Sequence, residues 1–388
     1  MTVHLALHAL QTLPPSNANR DDLGSPKTAV YGGVPRARIS SQAWKRAMRT
    51  HFTTAGLVPA QDLSERTRQG IGWIAAELLE RKPELGGENA AAVAEAVLVC
   101  ATGAATDSAG ARRKTTVAPA SATRETLFLG RRQIARLAEL AADGAEDITI
   151  FLKKKENAAA VRSAAASRDA VDIALFGRMV ANDDDLTLDA AVQVAHALAV
   201  HRTPVETDFF SAVDDLAEDA GAGIIGRREF LSPTLYRHAV LTGPDLAANL
   251  TDYAGTMTLE QVAAAFVRAF AESVPGGHIT SYAHTTRPTV LIATVTGTPL
   301  NLVGAYESPI ETTGGGHLPV AAQRLAEHIA ATASAYGDPT ARSWLLTTDP
   351  RATEPLHTTA TRVDSLAELA TQCADELARR TDAVRGQR

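Results

Sequence analysis

The chain has 388 residues, 45% of them hydrophobic and 21% charged, with a formal net charge of −6. That length can bury more than one core, and the balance is ordinary for a globular protein. It excludes a chain that is basic all over, and the two isolated cysteines, Cys100 and Cys373, exclude a disulfide framework or a CxxC zinc site.

The first residues, "MTVHLALHALQTLPPS", lack the basic segment and cleavage site of a secretory leader. No apolar run reaches the roughly 20 residues of a membrane span. A cytoplasmic protein is expected. "TVHLALHAL" alternates, with Val3, Leu5, Leu7 and Ala9 on one face and His4 and His8 on the other. This predicts a strand whose histidines edge a sheet rather than bind metal. A loop dense in Asn, Asp, Gly and Pro runs from Pro14 to Pro26, and "AVYGGVPRARIS" predicts extended pieces around a Gly32–Gly33 turn. Ser40 or Ser41 then caps a helix to about Thr54. On that helix Trp44, Ala47, Met48, His51 and Phe52 share one side, while Gln42, Lys45, Arg46 and Arg49 cluster on the other.

Charge is distributed unevenly. From Leu23 to Gln61 there is no acid, while Lys27, Arg36, Arg38, Lys45, Arg46 and Arg49 supply six positive charges. A second acid-free stretch, Ser108–Arg124, carries Arg112, Arg113, Lys114 and Arg124. Basic tracks on an acidic chain point to a defined polyanion path, against the plainer reading of solvated surface charge. Just upstream, Asp21 and Asp22 raise the question of a carboxylate site.

Residues 57–186 have helical periodicity, clearest in "QGIGWIAAELLERK", "NAAAVAEAVLVCATG" and "ETLFLGRRQIARLAELAADG", and read as a helical insertion. "LTLDAAVQVAHALAVHR" (186–202) reads as a buried helix returning to the first domain, and its His196 and His201 lack the i,i+4 spacing of zinc helices. Residues 203–241 form a second excursion with Phe209–Phe210, a Gly-rich turn at 221–226 and a strand signal. "TLEQVAAAFVRAFAESVP" is an amphipathic helix, "TVLIATVTG" the most convincing strand, and "LPVAAQRLAEHIAATASAYG" and 364–380 are further helices. "TTGGGHLP" (312–319) lacks the Lys-Ser/Thr of a phosphate-binding P-loop and reads as a loop. The order suits an α+β domain with a small sheet and helices on one side, a kind of sheet that often binds single strands.

Several motifs occur together and in order: "NRDD" at 19–22, Lys27, "GG" at 32–33, "RISSQAWKRAMR" at 38–49, "DIALFGRM" at 172–179, "DFFSAVDDL" at 208–216, and "REF…S…YRHA" at 228–239. In these the chain resembles the CasC family, the backbone subunit of the type I-E CRISPR surveillance complex Cascade and a member of the RAMP superfamily. The resemblance implies a modified RRM-like (ferredoxin-like) palm, a helical fingers insertion and a β-hairpin thumb. The corresponding segments are palm 1–56, fingers 57–186, a palm helix 187–201, thumb 202–238, and a second palm part with C-terminal helices, 239–388. It also implies a homo-oligomer that polymerises along the spacer of a crRNA, displaces bases at intervals and presents the rest to target DNA in antiviral defence. Other Cascade subunits are partners, a recruited nuclease-helicase does the cutting, and no cofactor or catalytic residue is implied.

Carried over by motif, Asn19, Arg20 and Asp21 with Lys27 form the loop against the guide backbone. Arg38, Ser40, Gln42, Lys45, Arg46 and Arg49 hold its phosphates, and Met179 is an apolar wedge between bases. Phe209 and Phe210 match the pair that covers the displaced base, with Phe where the family often has Trp. Val34 stands where relatives can carry a basic residue, so that phosphate contact is either missing or supplied by Arg36. Arg112, Arg113 and Lys114 are candidates for target DNA by charge alone. Contacts to phosphate and 2′-hydroxyl, with stacking on any base, suit recognition that is blind to spacer sequence. The plainer alternative makes Phe209, at helical spacing with Val213 and Leu216, a core residue, and Met179 likewise. Two other functions compete. One is a RAMP-type endoribonuclease using Asp21 and Asp22, or His4, His8 and a tyrosine. The other is a protein-interaction scaffold without RNA. In the non-catalytic reading, Asp21 and Asp22 brace Arg20 and the loop backbone.

Overall fold

Strand β1, His4–Thr12, sits at the centre of a sheet. The computed structural model describes residues 2–104, 122–179, 186–213, 222–251, 253–312 and 314–386. The chain divides into one unit of residues 1–57, 193–244 and 259–388 and another of 58–192 and 245–258.

In the first unit, β1 is followed by β2 (Thr28–Tyr31), β3 (Val34–Ile39), α1 (Ser41–Thr54), β4 (Ala197–Ala199), β5 (Glu206–Val213) and β6 (Ala222–Phe230). Then come β7 (Thr234–Thr242), α2 (Leu259–Glu272), β8 (Val290–Thr296), α3 (Leu318–Tyr336), β9 (Arg342–Thr347), β10 (Thr361–Arg362) and α4 (Leu366–Arg385). The sheet runs β10-β9-β8-β1-β7-β4-β3-β2, with Val192–Val194 paired to β7 off this path. Neighbours along the path are antiparallel except the parallel β9–β10 pair.

Strand β1 is therefore not an edge, and its histidines differ from expectation. His8 is buried, its Nδ1 2.8 Å from the Tyr236 hydroxyl, and its ring stacks on His238 at 4.7 Å. Burial first, then His238, holds the His8 pKa well below the ordinary imidazole value. One face of the sheet packs under α1 and α2. There Arg237, opposite Ala9 on β1, lies 3.6 Å from the Trp44 ring centroid and 4.4 Å from that of Phe270. Its guanidinium donates to Gln11 Oε1 and the Phe270 carbonyl, and burial pulls its pKa down to about 9.

The other face is covered as well. Leu10, Tyr236 and Ile292 pack with Leu302, Tyr306 and the α3 residues Ala321 and Leu325. Helices thus lie on both faces, and the open sheet surface expected to bind a single strand is filled by apolar side chains.

The helix expected at 186–202 is absent. Val192–Val194 and β4 are strands, and Leu198 pairs with both Arg38 and Tyr236. Val192, Ala197 and Ala199 are buried while Gln193 and His196 are exposed, and a run of helix-forming Ala and Leu masks these two short strands. Backbone donors of β3 and β7 needed a partner, and that tertiary demand outweighed propensity. The β2–β3 turn depends on Gly32, whose φ is +58° and where a Cβ would lie 1.6 Å from the Glu307 carbonyl oxygen.

In the second unit, helices Gly70–Arg81, Gly87–Thr102, Arg131–Asp143 and Lys155–Ala166 pack Ile74, Leu78, Val97, Leu137 and Val161 into one core. "ETLFLG" does not begin a helix. Leu127–Gly130 pairs antiparallel with Ser64–Thr67, and the helix starts at Arg131. The Asp172 carboxylate accepts from Ser64 N at 2.9 Å and Ser64 Oγ at 2.6 Å, fixing the start of "DIALFGRM". Among the described residues no helix is long and apolar enough to cross a membrane.

Candidate nucleic-acid interface

Asn19 organises the loop before β2. Its Oδ1 accepts from Ser40 N at 2.8 Å, and its carbonyl accepts from Lys27 N at 2.9 Å. The Ser40 hydroxyl in turn accepts from Ala43 N at 3.3 Å, capping α1. The loop, Lys27 and the start of the basic helix are thereby held as one piece.

Asp21 is committed to this loop. Its Oδ1 accepts from Leu23 N at 3.0 Å and Ser25 N at 2.9 Å, an Asx-type turn. The expected brace between these acids and Arg20 does not form. Arg20 NH1 donates instead to His278 Nε2 at 3.0 Å. Among the described residues no group of three His, Cys, Asp or Glu side chains is arranged to hold a metal ion.

Arg38 reaches across the sheet edge, donating from Nε to the Thr28 carbonyl at 3.3 Å and from NH1 to His196 Nδ1 at 3.2 Å. Burial first, then Arg38 and Lys27, lowers the His196 pKa from its ordinary value. Lys27, Arg38 and Asn19 line one small cleft with Leu13, Ile39 and Leu231. On α1, Trp44, Met48 and Phe52 are buried as their spacing predicts, while Gln42 and Arg46 are exposed and Lys45 and Arg49 half-buried. Partial burial lowers the Lys45 pKa, as expected where aliphatic stems lie along the fold and the heads reach out.

Arg36 does not supply the missing phosphate contact. It is fully buried, and its donors go to the carbonyls of Tyr31, Ala199, Tyr306 and Glu307 at 3.0–3.1 Å. Arg36 and Arg38, two apart in β3, share a face of the strand, yet Arg36 is buried and Arg38 half-buried, because the chain at Tyr306 and Glu307 covers the former.

Strands β5 and β6 form a separate two-stranded hairpin with Phe209 opposite Arg227 and Phe210 opposite Gly226. The core alternative for this pair fails because the segment is a strand, not a helix. Phe209 is 61% exposed. Phe210 lies over Gly226 on the other face of the hairpin, with the Arg228 guanidinium 4.8 Å from its centroid. The hairpin base is tied to the Asn19 loop. Ser16 and Leu231 exchange backbone hydrogen bonds of 3.0 and 2.9 Å, and Asn17 Nδ2 donates to the Glu229 carbonyl at 3.1 Å.

In the second unit, Arg178 is buried, with Nε donating to the Leu186 carbonyl at 2.7 Å, while the adjacent Met179 is 88% exposed. A core role for Met179 is excluded. Arg112, Arg113 and Lys114 lie outside the described residues.

Sequence reasoning missed His196, Arg228 and His278, each of which meets a residue named above. His196 was weighed only against His201 as a metal pair, and His278 follows two glycines in what reads as a loop. Nothing in the local pattern of "GGHITSYAH" reports that it folds back beside residue 20.

A family model described as CT1975-like protein matches residues 5–372. A chain of a solved "CRISPR RNA-guided surveillance complex, pre-nicking" is 33% identical at a TM-score of 0.80, covering 96% of this chain and 100% of that one. A chain of a second "CRISPR RNA-guided surveillance complex" is 29% identical at a TM-score of 0.72, covering 96% and 99%. No curated protein matches. The motifs that resemble CasC, the match across nearly the whole sequence and these structural likenesses agree, and the chain belongs to the CT1975-like family.

Proposed function

We propose that this chain is the non-catalytic backbone subunit of a type I-E Cascade complex. In this reading copies of it polymerise along the spacer of a crRNA, with other Cascade subunits as partners. They displace bases at intervals and leave the rest free to pair with target DNA, which a recruited nuclease-helicase then cuts. Its setting is cytoplasmic antiviral defence.

The observation that carries the proposal is the composition of one surface. Lys27, Arg38 and the α1 cations Lys45 and Arg46 follow an Asn19-centred loop whose base is bonded to the hairpin bearing exposed Phe209. Cations for phosphates beside an exposed aromatic for any base are what sequence-blind single-strand binding requires. Met179, held out by the buried Arg178 beside it, suits an apolar wedge.

The order β1-α1-β4-β7-α2-β8, with β8-β1-β7-β4 adjacent in the sheet, supports the ferredoxin-like or RRM-like palm. Because both sheet faces are covered, RNA runs over loops, α1 and hairpin instead of the sheet surface that RRM domains use. The β5–β6 hairpin is then the thumb and the second unit the fingers. A scaffold role also fits Asp21, whose carboxylate is engaged by two backbone amides.

The test incubates purified protein with labelled guide RNA and divalent metal. Retention of intact RNA is expected. Cleavage abolished by Asp21→Ala would establish the endoribonuclease, and RNA retention unchanged by charge reversal at Lys45 and Arg49 would favour a protein scaffold without RNA contact.

A further inference from the structure

The segment Pro275–His284 is built in an unusual way and lies beside the proposed RNA path. A single short helix, Ile279–Tyr282, is flanked by two non-glycine residues in the left-handed region, His278 at φ +51° and Ala283 at φ +45°. Such conformations persist only where surrounding structure over-determines them, and they gather at ligand clamps. Two contacts provide that determination. The buried His284 ring bonds the Pro275 carbonyl through Nε2 at 2.9 Å. Gly277 comes so close to the Asn19 loop that a Cβ there would lie 2.5 Å from the Ala18 carbonyl oxygen and 2.7 Å from that of Asn17.

The result is a convergence of cations. Arg20 donates to His278 Nε2 at 3.0 Å, and Arg228, from the hairpin, donates to Ser281 Oγ at 3.2 Å. Tyr282 lies edge-on to His278 at 6.4 Å and tilted against Phe230 of the hairpin at 6.3 Å. Among the described residues no ion pair neutralises Arg20 or Arg228, although Asp208 stands opposite Arg228 in the strand register. Two exposed guanidinium groups, an imidazole and a hydroxyl, drawn together without a bonded carboxylate, form a site whose missing member is an anion. His278 registers the same field: burial first, then Arg20 and Arg228, lowers its pKa from the ordinary value.

We propose that Arg20, Arg228, His278 and Ser281 form a clamp for a single phosphodiester of bound RNA at the base of the hairpin, with His278 positioning the Arg20 guanidinium. The proposal rests on the RNA-binding reading above and adds three residues that reading does not contain. It makes the 275–284 segment a wall of the RNA path and couples the Asn19 loop to the hairpin through the ligand.

The test measures binding of a labelled poly(U) strand to the full chain across a salt titration. R228Q is expected to weaken binding about fivefold and to lower the logarithmic salt slope by about 0.7, one single-strand phosphate. R362Q, an exposed arginine on the far edge strand, is the unaffected control. H278L removes the acceptor for Arg20 and H278Q keeps one, and both carry the same left-handed backbone cost. H278L is therefore expected to weaken binding and H278Q to restore most of it, with R20Q/H278L no weaker than R20Q. If R38Q weakens binding while R228Q and H278L do not, the clamp is wrong and the RNA path stands. If R38Q and R228Q are both silent, the RNA reading falls and the clamp with it.

Discussion

Replacing Arg36 by Met separates a structural cation from a binding one. Arg36 is completely buried and holds four carbonyls, those of Tyr31, Ala199, Tyr306 and Glu307, so it ties the β2–β3 hairpin to β4 and to the turn before α3. Each net bond is worth about 1 kcal/mol, more where the donor is charged, and each carbonyl left unsatisfied costs about 1–3 kcal/mol. Relief of the buried charge and the apolar burial of Met offset part of this. A net loss of about 3 kcal/mol follows. Urea unfolding followed by tryptophan fluorescence reads it, because Trp44 and Trp344, two of the three tryptophans, lie in this unit. The paired variant is K27M. Lys27 is half-buried, so K27M should leave stability within about 1 kcal/mol, yet lower the RNA salt slope by about 0.7. R36M within about 1 kcal/mol of wild type, or R36M removing a phosphate's worth of salt slope, would refute the assignment of Arg36 as an internal strut.

Gly32→Ala places a methyl group on the Glu307 carbonyl at a left-handed φ, so it should cost at least about 2 kcal/mol in the same unfolding assay; a neutral result would mean the β2–β3 turn is held differently. Phe209→Ala should leave the unfolding midpoint nearly unchanged, because the ring is 61% exposed. It should weaken RNA binding by about 1–3 kcal/mol, the worth of one stacked base, and a stability loss without a binding loss would return Phe209 to the core. His238 is buried and its pKa is lowered to about 4. As pH falls from 6.5 towards 4, the unfolded imidazole gains a proton that the folded one refuses, so stability falls, by about 3 kcal/mol from this group. H238F should flatten that slope between pH 6.5 and 5, and an unchanged slope would contradict the buried neutral ring.

Local signals carried much of this fold. Helix α1 was readable because cap, apolar stripe and basic edge coincide within a few residues, and Trp44, Met48 and Phe52 are buried as spacing requires. The long-range pairings were not. Nothing local to "VQVAHALAV" states that β3 and β7 lie on either side of it, so helix propensity decided wrongly. Arg36 and Arg38 are two apart in one strand and share a face, so pattern does not separate the buried tie from the half-buried cation; the distant carbonyls of Tyr306 and Glu307 do. The same limit hid the clamp residues, since Arg20 and His278 are 258 positions apart. Pattern alone leaves Met179 and Phe209 open between core and surface, and their exposure excludes the core reading.

A crosslinking map of the protein with RNA bound tests the central claim most directly. Ultraviolet crosslinks should fall in the segments 19–49 and 206–230, at Phe209 above all, with a further site near 278–282, and should be independent of RNA sequence. Crosslinks confined to other surfaces, with none to the Asn19 loop, α1 or the hairpin, would contradict the account.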